Sequence, residues 1–135
     1  MRQYIGIPFK PHGRDLNGWD CYGLIYYIYG KDLGISLFSY VNDYATVNDK
    51  HIPDLIKQEK ARWHEVVKPQ KYDVVLLGKR GRHVGLMLND SEFLHVLVGI
   101  STCVEGTKSA VWKNRIQGYC RHESRIDSCS ITTPI

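Results

Sequence analysis

The sequence predicts an α+β domain in which one N-terminal helix packs on a face of an antiparallel sheet. Three observations carry this: a loop-rich start, one capped apolar helix, and short β-branched or aromatic runs confined to the second half. With 135 residues, 43% of them hydrophobic, and no low-complexity tract, the chain supports one ordered core. It reads as a single domain over 1–135.

Residues 1–20 read as loop, punctuated by Gly6, Pro8, Pro11, Gly13 and Gly18. Asp20 then supplies an N-cap for a helix over 21–29, which Gly30 or Gly34 ends. Leu24, Ile25 and Ile28 fall on one stripe of that helix. Residues 34–50 look irregular, and "IPDLIKQEKARW" (52–63) predicts a short helix with Pro53 in its first turn. From Trp63 onward, "WHEVV", "YDVVLLG", "HVGLML", "EFLHVLVG" and "GYCRH" predict strands. Their connections are "KPQ", "KRGR", "NDS" and a looser segment over 105–117.

The net charge of +4 is modest and dispersed, with "GKRGRH" (78–83) the densest cluster. A nucleic-acid partner is not expected, because that usually needs a basic stripe or face. The cluster suits an acidic small ligand or solvated surface. No apolar run reaches the ~20 residues that span a bilayer, so membrane insertion is not expected. The start "MRQYIGIPFK" lacks the apolar core of a secretory signal, so no export address is expected in the chain. Cys21, Cys103, Cys120 and Cys129 form no CxxC pair, and no metal site or cofactor is expected. A Cys120–Cys129 disulfide is conceivable; free thiols in a reducing cytoplasm are the favoured reading.

Cys21 stands where helix N–H groups and the helix dipole favour an anion, an address that predicts a lowered thiol pKa. A cysteine in an apolar helix more often serves as a small packed hydrophobe, so a nucleophile needs a base beside it. His83 and His95 are candidates, on two strands of one hairpin. Both rings share a face only if residue 95 pairs with 85. A three-residue loop at Asn89, Asp90 and Ser91 gives that register, and a four-residue loop reverses it.

The series "DCYGL" (20–24), "YDVVLL" (72–77), "RHVGLML" (82–88) and "EFLHV" (92–96) resembles the motifs of NlpC-type cell-wall peptidases, which are papain-like cysteine hydrolases. Upstream, "YIGIPF" (4–9) is similar to the family's Tyr-x-Gly-x-Pro-Tyr stretch. The resemblance implies a papain-like fold with Cys21 as nucleophile, His83 as base and His95 as the polar residue orienting His83. It implies further that Tyr4 places its hydroxyl near the oxyanion site and that Asp20 caps the helix. Tyr22 departs from the small residue usual after the cysteine, and Tyr72 from the glycine usual before Asp73.

The stretches 61–77 and 105–122 resemble versions found in tail-assembly proteins of long-tailed bacteriophages. What this implies is a peptidoglycan stem-peptide hydrolase, cutting between D-γ-glutamate and a diamino acid, carried at a virion tail tip with other tail proteins as partners. Arg80 and Arg82 stand beside His83, where they suit the carboxylates of a stem peptide. Two rival readings remain: a structural tail-tip or assembly component with an idle site, and a bacterial amidase acting on another amide.

Overall fold

The computed structural model describes residues 1–39, 62–78 and 83–126. The predicted helix over 52–63 falls almost wholly outside them, as do Arg80, Arg82 and Cys129.

The first twenty residues are more ordered than the loop expected of them. A 3₁₀ turn spans Arg2–Tyr4, and two-residue strands β1 (Arg14–Asp15) and β2 (Gly18–Trp19) pair antiparallel. Helix α1 (Cys21–Ile28) follows, with the Asp20 carboxylate accepting from the Gly23 N–H at 2.7 Å. That bond satisfies one of the donors left open at any helix start. The helix runs on as a π turn through Leu33, and Gly34 stops it in the left-handed conformation at φ 66°. Gly23 is required by contact: a Cβ there would lie 2.0 Å from the Gly13 carbonyl oxygen. The backbone just before β1 can therefore press directly on the start of α1.

Six further strands form one antiparallel sheet: β3 (Trp63–Val66), β4 (Val74–Leu77), β5 (His83–Met87), β6 (Glu92–Leu97), β7 (Ile100–Gly106) and β8 (Ile116–His122). Their order is β3-β8-β4-β5-β6-β7. Strand β7 was not read from the sequence. Its pattern is mostly half-exposed, with Ser101, Thr102, Cys103 and Glu105 diluting the β-branched signal.

Side-chain alternation gives the sheet two different faces. Val74, Leu76, Val84, Leu86, Leu94 and Val96 share a core with Leu24, Ile25 and Ile28 of α1, which packs against β5 and β6. Val75, Leu77, Met87 and Phe93 form a second cluster under Trp112. The edge strand β7 is partly covered by the N-terminal segment. Thr102 N–H donates to the Ile7 carbonyl, and Gly6 N–H to the Thr102 carbonyl, both at 2.8 Å. Fully buried Asp73 pins β4 to the end of β8 by accepting from Arg121 and Arg125.

Candidate active site

Cys21 opens α1, and the backbone N–H of Val84 is hydrogen-bonded to its thiol. Val84 follows His83 on β5, so this bond links the nucleophile candidate to the strand end that carries the base candidate. His83 Nε2 lies 2.9 Å from His95 Nδ1. Of the two registers open from the sequence, the permissive one is realised: Leu86 pairs with Leu94 and Met87 with Phe93, across a turn of three residues. Both rings therefore lie on the Trp112 face of the sheet.

The second histidine has further partners that its sequence neighbourhood did not announce. His95 Nε2 stands 3.5 Å from Glu105 Oε2 on β7. The Trp112 indole N–H donates to that same oxygen. Trp112 also meets the His95 ring edge-on at 5.0 Å, and Phe93 does so at 5.1 Å. Glu105 and Trp112 arrive from a strand and a loop that follow the hairpin, so only the folded sheet brings them to His95.

The electrostatics reverse one expectation. A helix start alone predicts a lowered thiol pKa, but Cys21 is only 3% exposed. Burial, then the adjacent Asp20 carboxylate, push the thiol up to about 12; the N–H groups of Val84 and Tyr22 and the Arg14 charge oppose this without winning. Burial, then the neighbouring His95 ring, push His83 down to about 3. Burial also lowers His95, against the opposing pull of Glu105. At neutral pH the resting site therefore holds a thiol and two uncharged imidazoles.

A family model described as the NlpC/P60 family matches residues 6–121. The chain belongs to the NlpC/P60 family. Solved structures agree on the NlpC/P60 fold. The NlpC/p60 domain of the peptidoglycan hydrolase SagA superposes with TM-score 0.60 at 22% identity, covering 88% of this chain and 89% of that one. An NLP/P60 lipoprotein-like protein of Staphylococcus aureus gives 0.61 at 21%, and an NlpC/P60 protein of Bacillus cereus 0.65 at 20%. The match covers 88% and 90% of this chain respectively, and 37% of each of those longer chains. No curated protein matches.

Within this NlpC/P60 domain, the Tyr4 hydroxyl is engaged away from the start of α1. It donates to Asp32 Oδ1 at 2.7 Å, in the π turn beyond the far end of α1. Asp32 lies eleven positions beyond Cys21, about 16 Å along the axis at the α-helical rise. Tyr4 packs instead in the core against Trp19 and Tyr27. Asp20 caps the helix as expected and also binds Arg14 at 2.9 Å. Among the described residues no cluster of three His, Cys, Asp or Glu side chains is arranged to hold a metal ion.

Proposed function

We propose that this chain is a cysteine hydrolase that cuts an amide bond of peptidoglycan stem peptides, between D-γ-glutamate and a diamino acid. Membership of the NlpC/P60 family supports hydrolase chemistry on the cell wall. The observation that carries the reading is the His83–His95 hydrogen bond at 2.9 Å, one residue from the Val84 N–H that holds the Cys21 thiol.

In this mechanism Cys21 Sγ bonds to the substrate carbonyl carbon while its proton passes to His83. The thiol and the imidazole are both neutral at rest, so proton transfer and attack proceed together. The tetrahedral oxyanion is held by the Cys21 backbone N–H at the helix start. His83 then gives its proton to the leaving amine as the C–N bond breaks, leaving a thioester on Cys21. Water attacks the thioester, its proton goes to His83, and the C–S bond breaks with the sulfur reprotonated. His95 holds the His83 ring throughout.

The biological setting proposed is the tail tip of a long-tailed bacteriophage, with other tail-tip proteins as partners. Its support is the resemblance of 61–77 and 105–122 to phage tail-assembly versions. An intact and shielded histidine pair favours a working site over an idle one. The test is digestion of purified muropeptides followed by mass spectrometry, comparing wild type with Cys21→Ala. Release of a new amine at the diamino acid by wild type alone supports the hydrolase. No cleavage by a folded wild type overturns it. Proteomics of purified virions tests the setting, which fails if the protein is absent from mature particles.

A further inference from the structure

We propose that Glu105 is a positioning residue that sets the tautomers of both histidines and so leaves His83 Nδ1 bare to accept a proton. The catalytic consequence rests on the Cys21–His83 hydrolase reading, while the tautomers themselves can be measured without it.

A carboxylate only accepts hydrogen bonds. Glu105 Oε2 faces His95 Nε2 at 3.5 Å, and a ring lone pair pointed at that oxygen would be repelled. Neutral His95 therefore carries its proton on Nε2, which makes Nδ1 an acceptor. The 2.9 Å contact from His95 Nδ1 to His83 Nε2 needs one proton, and His83 must supply it. His83 is then protonated on Nε2, with its lone pair on Nδ1. Had His95 carried its proton on Nδ1, His83 would accept on Nε2 and hold its own proton on Nδ1. It could not then serve as a base through that atom.

The fold keeps Glu105 in place for this role. Glu105 is the cross-strand partner of Phe93, and Cys103 that of His95, so both β7 side chains share the face of the His95 ring. The Trp112 N–H bond anchors the carboxylate, and the Trp112 and Phe93 rings close the flanks of His95. Among the described residues, Cys103 is a further titratable group on this face. Burial, and then Glu105, push its thiol up, so it stays neutral.

The test uses long-range ¹H–¹⁵N correlation spectra of the full chain, labelled at histidine, at pH 7 without substrate. Wild type should show both His83 and His95 protonated on Nε2. Glu105→Ala should populate the Nδ1–H form of His95 and lower kcat/KM roughly 10–100-fold, as loss of an outer partner does at other sites. Glu105→Gln, whose amide oxygen still accepts from Trp112 and His95, should keep the Nε2–H form and recover most of that loss. An Nδ1–H tautomer of His95 in wild type overturns the proposal, even if Glu105→Ala does not fold. Unchanged tautomers and unchanged kcat/KM in a folded Glu105→Ala overturn it as well. The expected tautomers in a protein that cleaves no muropeptide would sink the hydrolase reading alone.

Discussion

His83 and His95 meet at 2.9 Å because a three-residue turn fixes the register of the strands that carry them. Asn89 builds that turn, its side-chain oxygen accepting from the backbone N–H groups of Ser91 and Glu92 at 2.8 Å each. A slip of one residue would send His95 to the α1 face. The pair thus depends on a loop outside the site.

Their roles differ, and so should their variants. His83 exchanges a proton during turnover, so His83→Ala should lose nearly all activity. His95 accepts from His83 and donates toward Glu105, and an uncharged amide can do both. His95→Gln or His95→Asn should therefore keep substantial kcat/KM on a muropeptide, while His95→Ala loses considerably more. Circular dichroism serves as the folding control. Near-native activity in His83→Ala together with a dead His95→Asn would reverse the two roles.

The same burial predicts a specific acid sensitivity. In the folded protein both histidines have lowered pKa values, His83 to about 3, whereas the unfolded chain titrates near the ordinary value of about 6.5. Below that value the unfolded state takes up protons that the folded state refuses. The contribution is therefore fully present well above pH 6.5 and is lost below it; for His83 the loss continues toward pH 3 at up to about 1.4 kcal/mol per pH unit, and His95 acts in the same direction. Urea denaturation at pH 7, 6 and 5 should show this slope, and His83→Gln should flatten it. Equal slopes in the two proteins would contradict the burial argument.

Asp20 serves the helix and works against the thiolate. Asp20→Ala removes the cap, at about 1 kcal/mol, and breaks a buried pair with Arg14, a loss of up to about 3–5 kcal/mol. Asp20→Asn keeps a capping oxygen but removes the charge that raises the Cys21 pKa. Iodoacetamide labelling of Cys21 should climb with pH through pH 10 in wild type without a plateau. In Asp20→Asn the whole curve should shift to lower pH. A wild-type plateau below pH 8 would mean a preformed thiolate and would contradict the raised thiol.

The parts legible in the sequence are those set by neighbours along the chain. Asp20 and the Leu24, Ile25 and Ile28 stripe announce α1, and the sequence narrows the hairpin to two registers, of which the three-residue loop at 89–91 realises one. Glu105 and Trp112 were not legible, because they reach His95 across β6 and β7 and β7 itself carries no strong strand pattern. The thiol was misjudged for a related reason. The helix start is visible in sequence, whereas the sheet that buries Cys21 is assembled from residues far along the chain, from Trp63 onward. The bond from the Tyr4 hydroxyl to Asp32 was not legible either, because a motif match does not name that partner.

Attack of Cys21 on the substrate is read out by trapping the acyl-enzyme. Wild-type protein is mixed with excess muropeptide, acid-quenched within milliseconds to seconds, and analysed by intact and peptide mass spectrometry. An added acyl mass is expected on the peptide bearing Cys21, labile to hydroxylamine and absent from Cys21→Ala, which should also release no product. Product formation by Cys21→Ala at the wild-type rate would contradict the account, as would an acyl mass found only on Cys103.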